Sequence, residues 1–126
     1  LRAALGEAAR AAGLQAAEGI YVCAQGPHLE SPAQIRMMRQ FGDVVGMTGY
    51  PEVVLAREAG LCYASLCVVA NPAAGMGGEG SLRLSGISQL MKGCQDAVWQ
   101  IVQQAAQILP AERSCSCGSA LDDTWI

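Results

Sequence analysis

Residues 43–71, DVVGMTGYPEVVLAREAGLCYASLCVVAN, decide the architecture of this chain. The stretch contains two solidly apolar runs, Asp43 to Met47 and Leu61 to Ala70, each followed by turn or polar residues. Short runs of this kind read as buried strands, and Leu61–Ala70 (LCYASLCVVA) is the strongest strand candidate in the sequence. Between them Thr48-Gly49-Tyr50 is a loop. Pro51 then opens a helix that Gly60 ends, with Glu52 and Glu58 flanking Arg57.

The same alternation extends outward. Upstream, Leu1 to Ala12 is Ala-rich and stops at Gly13, a helix with a glycine at its C-terminus. Gly19 to Ala24 (GIYVCA) is a β-branched and aromatic run and reads as a strand, and Gln25 to Glu30 (QGPHLE) is a Gly-Pro loop. Ser31-Pro32-Ala33-Gln34 supplies a capping box with Pro at the first helical position, starting a helix that ends near Phe41-Gly42. Downstream, Asn71 to Ser81 is a loop with glycines at 75, 77, 78 and 80. From Ser85 onward apolar residues recur near every 3.6 positions until Pro110. The order helix, strand, helix, strand, helix, strand, long helix predicts an α/β layer fold with its sheet covered on both faces. Neither a repeat nor a linker divides it, so residues 1–126 read as one domain or part of one, with 111–126 as a C-terminal tail.

Composition adds a constraint. Hydrophobic residues make up 52% of the 126 residues and charged residues 15%, against roughly 25% charged in a typical soluble domain. A small freestanding domain has a large surface to cover, so this chain is expected either to bury surface in an oligomer or to be a piece of something larger. It begins with Leu1 rather than Met, as an internal fragment would. A net charge of −3 with no basic cluster argues against nucleic-acid binding. Leu61–Ala70 is too short for a membrane span of about 20 residues, and no signal-peptide core is present at the start.

Of six cysteines, Cys23, Cys62 and Cys67 lie in apolar runs and Cys94 on a helical stripe. None has C-x-x-C spacing, and the one histidine, His28, has no partner at metal-ligand spacing. This pattern suits a cytoplasmic chain with mostly reduced thiols and no metal site. Cys115-Ser116-Cys117 stands apart as a C-x-C pair.

In open α/β sheets ligands bind beyond the carboxyl ends of strands, and all three runs end in polar or unusual residues. Glu30 precedes an N-cap, where a helix dipole favours a carboxylate in any case. Thr48 either satisfies loop backbone or receives an anion at the following helix start. Asn71 is a turn residue or an amide able to pair with a heterocycle edge. Met47 is core filler or an apolar floor under a sugar. The glycine loop 75–80 matches no phosphate-loop or dinucleotide pattern, and no Ser/His/Asp set exists. Residue chemistry alone reaches an α/β protein with a small-ligand site.

Three segments together resemble something more specific. GIYVCAQGPHLESPAQIR, DVVGMTGYPEVVLAREAGLCYASLCVVAN and the following PAAG resemble the C-terminal half of the trimeric purine nucleoside phosphorylase and methylthioadenosine phosphorylase family. Their most specific element is VGMT-x-x-PE-x-x-LA-x-E-x-G-x-x-YA, and the resemblance extends over roughly Leu1 to Leu109. It implies a three-layer α/β/α fold with a central mixed, mostly buried sheet, present here as its C-terminal portion.

The activity it implies is phosphorolysis, a pentosyl transfer in purine salvage. Phosphate attacks C1′ of a purine nucleoside, and free base and a ribose 1-phosphate leave. Phosphate is a co-substrate and no cofactor is implied. The sugar becomes oxocarbenium-like and the base gains negative charge, so catalysis rests on positioning and on hydrogen bonds to the leaving base. By resemblance, Asn71 is the catalytic residue, set against purine N7, and Glu30 accepts from N1–H of a 6-oxopurine. Met47 lies beneath the ribose and Thr48 contacts phosphate. Leu29 takes a position usually held by Phe at the base or sugar edge, and Leu84 and Ile87 fall near the pocket for the 5′-substituent.

A neutral Asn71 with Ala73 two residues on, together with Glu30, resembles the 6-oxopurine branch rather than the adenine-cleaving enzymes. The string Asn71 to Gly75 looks most like bacterial S-methyl-5′-thioinosine phosphorylases. Methylthioinosine is therefore the expected substrate, ahead of inosine or guanosine and then methylthioadenosine. The alternatives are a methylthioadenosine phosphorylase or a non-catalytic purine-binding remnant or interaction module. The sequence departs from the family in three ways. The link before DVVGM is one residue shorter, Leu29 replaces an aromatic, and the phosphate-binding N-terminal half is missing. The chain alone is accordingly expected to be inactive, and the full-length protein to be a homotrimer. Some family members carry a C-terminal C-x-C that forms a disulfide or exchanges thiols, which Cys115 and Cys117 resemble; two free thiols are the plain alternative.

Overall fold

The computed structural model describes residues 1–77, 84–122 and 124, with backbone only at Leu84 and Ser85. Its elements run α1 (Arg2–Ala11), β1 (Tyr21–Cys23), α2 (Pro32–Met38), β2 (Val44–Gly46), α3 (Gly49–Glu58) and α4 (Leu84–Ile108), then a short 3-10 helix, Ser116–Ser119.

Most helix ends follow the sequence signals, but α2 ends at Met38, short of the expected Phe41-Gly42, and continues only as a turn. Gly13 and Gly60 both take positive φ, 72° and 63°. Each is followed by an N–H that reaches back across the helix end, Leu14 to the Ala9 carbonyl at 2.9 Å and Leu61 to the Ala56 carbonyl at 2.8 Å. This is the Schellman arrangement, which only glycine enters without steric cost. At α2 the capping box is complete: the Ser31 hydroxyl accepts from the Gln34 N–H at 3.3 Å, and the Gln34 side chain accepts from the Ser31 N–H at 2.8 Å. Tyr50 is non-helical within α3, so the regular helix starts at Pro51.

Two packing centres form. One joins α1 to α4 through Ala8, Ala9, Ile101 and Ala105, with Ala4 and Leu5 beside them. Alanines on the contact face allow the two helices a close approach. The other is the sheet, in which β1 and β2 pair in parallel with Tyr21 opposite Val44 and Cys23 opposite Gly46. Asp43 sets this register. Its carboxylate accepts from the Ile20 N–H at 2.8 Å and its own N–H donates to the Ile20 carbonyl at 2.9 Å. Gly42 is required at the turn, because a Cβ there would meet Val22 Cγ2 at 2.6 Å and the Ile20 carbonyl at 2.8 Å.

The structure corrects one expectation. Leu61–Ala70 belongs to no sheet, and from Cys62 to Ala70 no backbone N–H or C=O pairs with another described backbone group. Its sequence has strand character, but a strand exists only where a neighbouring edge accepts its ladder, and β1 and β2 pair with each other alone. Neither strand of that pair is fully buried; Tyr21 and Val22 are half-buried and Cys23 is exposed. Apolar side chains are correspondingly exposed, Leu61 by 52% and Val69 by 68%. The accessible surface is 9852 Å², against about 6,400 Å² for a compact monomer of 13.1 kDa. The shortage of charge and the excess of exposed apolar surface are the same feature seen twice.

Candidate active site

A cavity of about 1400 Å³ lies between the β1–β2 pair and residues 66–77. Its volume exceeds the roughly 300–1,000 Å³ of a usual ligand pocket. Six of the seven residues singled out from the sequence line it: Leu29, Glu30, Met47, Thr48, Asn71 and Ile87. The seventh, Leu84, opens α4, but its side chain lies outside the described residues.

Local structure explains why these residues meet. The β1 strand delivers the loop carrying Leu29 and Glu30, and the Ser31 capping box fixes that loop onto α2. The β2 strand ends at Gly46 and places Met47 and Thr48 directly after it. Met47 packs across Gly26, whose Cβ, if present, would lie 3.2 Å from the sulfur. Gly75, with φ 75°, brings the 71–77 loop against Pro32 at the start of α2, where a Cβ would meet the proline ring carbon at 2.9 Å. Asn71, which opens that loop, lines the same cavity as Glu30 and Met47.

The polar groups differ in how they are occupied. Glu30 Oε1 is buried and has no hydrogen-bond partner among the described residues. A buried acceptor left unmatched costs about 1–3 kcal/mol, more if charged, so this oxygen is poised for a donor from outside the protein. Asn71 donates one amide N–H to the Pro72 carbonyl at 2.8 Å, which orients the amide and leaves its other N–H and its oxygen without a partner among the described residues. The Thr48 N–H donates to the Tyr21 hydroxyl at 3.3 Å, and the Thr48 side chain makes no cap on α3. An anion at this helix start would therefore meet the threonine hydroxyl, with the Thr48 N–H already engaged.

Two cavity residues escape a reading of the sequence. Tyr21 lies flat across Gly46 and Gly49, and a Cβ at Gly46 would overlap the phenol. Arg39 is the one cation among the described lining residues and carries only a long contact of 3.9 Å to the Met76 sulfur. Tyr21 had a signal, an aromatic in a strand paired with a glycine-containing strand, but Arg39 on a polar helix end had none.

All six cysteines carry free thiols. Those of Cys62 and Cys115 lie 3.3 Å apart. The Cys115 thiol is lowered to about 7, chiefly by the backbone N–H of Cys117 and then by the Cys62 thiol, while Cys62 is raised, chiefly by its hydrogen bond to Cys115. No described helix is long and apolar enough to cross a membrane.

Comparison with known proteins gives a consistent result. The family model described as the phosphorylase superfamily matches residues 1–106. A probable S-methyl-5′-thioinosine phosphorylase from Methanosarcina acetivorans is 44% identical over 93% of this chain and 45% of its own length. A protein of the same description from Methanopyrus kandleri is 41% identical over 97% of this chain and 48% of its own. The 6-oxopurine nucleoside phosphorylase of Pyrococcus furiosus is 44% identical over 96% of this chain and 46% of its own. The chain thus spans about half the length of the curated relatives it matches.

Proposed function

The chain belongs to the phosphorylase superfamily, and from that premise we propose that it forms the base and sugar half of a 6-oxopurine nucleoside phosphorylase acting on S-methyl-5′-thioinosine or a close analogue. The observation that carries this reading is the unpartnered buried Glu30 oxygen in one cavity with Asn71, Met47 and Thr48. A 6-oxopurine presents an N1–H donor that such a carboxylate accepts, whereas a 6-aminopurine presents an unprotonated N1 that it repels. The names of the relatives, methylthioinosine and 6-oxopurine phosphorylases, favour the same substrate class.

In the proposed reaction a phosphate oxygen bonds to C1′ as the C1′–N9 bond breaks, and the bonding pair leaves with the purine. Charge on the departing base reaches N7 and N1. Asn71 donates its free N–H toward N7, a bond that strengthens as charge develops and so lowers the barrier, while Glu30 accepts from N1–H and holds the base in position. Met47 supplies the floor under the sugar and Thr48 its hydroxyl to phosphate. Leu29 and Ile87 supply an apolar surround suited to a methylthio group.

The proposal extends to the fold. Leu61–Ala70 has unpaired backbone, apolar side chains on both sides and strand character, as expected of an inner strand whose neighbours come from the rest of the protein. A three-layer sheet completed by that remainder, in a homotrimer, would cover the excess exposed surface. The test is phosphate dependence in the whole protein. Hypoxanthine should be released from methylthioinosine only when phosphate is present, with a sugar 1-phosphate in equal amount; release without phosphate would make the protein a hydrolase and overturn the proposal.

A further inference from the structure

Cys62 follows the end of α3, and Cys115 and Cys117 lie on the tail, yet the three Sγ atoms all fall within 4.8 Å of one another. Among the described residues no other set of three His, Cys, Asp or Glu side chains converges in this way. Two further contacts seat the tail on the same turn. Arg113 Nη1 donates to the Gly60 carbonyl at 2.6 Å, and Gly60 lies so close to Gly118 that a Cβ on it would stand 3.3 Å from the Gly118 carbonyl oxygen. The thiols therefore meet on a turn that two independent contacts hold together.

We propose that Cys62, Cys115 and Cys117 form a three-thiolate site for a soft closed-shell cation, Cu(I) or Zn(II). Metal–sulfur bonds of about 2.3 Å around one ion put the sulfurs about 3.8–4.0 Å from each other. The observed spacing brackets that value, so adjustments of under about 1 Å in side-chain torsions would seat an ion. Thiolate sulfur selects soft metals over the hard cations that carboxylates hold. On binding, each thiol loses its proton to solvent as its sulfur bonds the ion, and nothing is oxidised or reduced. Three ligands leave either a trigonal Cu(I) centre or a Zn(II) centre with one position open to water. None of the three cysteines lines the cavity, but Cys62 begins the segment whose far end, Leu66–Ala70, does. A bound ion would clasp the tail to the end of α3 and fix the entry of that segment.

The experiment titrates the whole protein, kept reduced with a phosphine rather than a thiol, with Cu(I) and separately with Zn(II) against a chromophoric competitor, following thiolate-to-metal charge-transfer absorption. One ion should bind per chain and raise the melting temperature. Cys62→Ser should weaken binding by more than the roughly 10–100-fold that loss of a mere supporting group costs. Cys115→Ser, on the exposed tail, should do the same and abolish the thermal shift, whereas Cys67→Ser should alter neither. Absence of binding for both ions would overturn the proposal. So would wild-type affinity in Cys62→Ser, since the tail pair alone would then hold the ion.

Discussion

Replacing Glu30 by Gln separates the two consequences of a buried, unpartnered carboxylate oxygen. In the structure Glu30 Oε1 is out of solvent and accepts no hydrogen bond from a described residue. The free protein therefore gains nothing from that oxygen, and the wild type bears its desolvation. On the proposed reading, a bound 6-oxopurine would donate N1–H to the same oxygen in a charge-assisted bond worth about 1.5–3 kcal/mol. Glutamine keeps the shape and an acceptor oxygen but loses the charge, so kcat/KM for inosine-type substrates should fall about five- to tenfold, the margin between a charge-assisted and a neutral hydrogen bond. Folding stability should stay level or rise, because the replaced oxygen made no hydrogen bond with a described residue. Steady-state phosphorolysis and thermal melting of the whole protein read the two effects side by side. Unchanged kcat/KM would refute the placement of the base against Glu30. A parallel loss of activity and melting temperature would also refute it, by making Glu30 a structural group.

Other substitutions probe the frame around the site. Asn71→Asp should shift the ratio of kcat/KM toward 6-aminopurine nucleosides by about five- to tenfold, the margin between a neutral and a charge-assisted hydrogen bond, as read from paired assays on methylthioinosine and methylthioadenosine. Gly46→Ala places a Cβ against the Tyr21 hydroxyl oxygen and should cost about 1–3 kcal/mol of stability by overpacking, seen as a lower denaturant midpoint. Ser31→Ala removes half of the capping box and should cost about 1 kcal/mol, with KM for the nucleoside rising because the loop that carries Glu30 loses its anchor.

What could be read from the sequence was what local chemistry decides. Gly13, Gly60 and the Ser31–Gln34 box marked helix ends correctly because each works through backbone bonds within a few residues. Leu29, Glu30, Met47, Thr48 and Asn71 line one cavity because the loops that follow a strand or a strand-like run open toward the same side, and Ile87 joins them from α4. Leu61–Ala70 failed for the complementary reason: strand character is local, but a ladder needs a partner at a distance, and none is at hand. The approach of Cys62 to Cys115 was hidden likewise, since 53 residues separate them and no spacing rule connects them. Asp43 read as the first residue of a strand, whereas in the structure its carboxylate pins Ile20 and sets the sheet register.

The central claim is that Glu30 and Asn71 together select a 6-oxopurine. It is tested most directly by measuring kcat/KM of the unmodified whole protein for S-methyl-5′-thioinosine, inosine and S-methyl-5′-thioadenosine under one set of conditions. Both inosine-type nucleosides should exceed methylthioadenosine, with methylthioinosine first. Methylthioadenosine as the best substrate would contradict that claim.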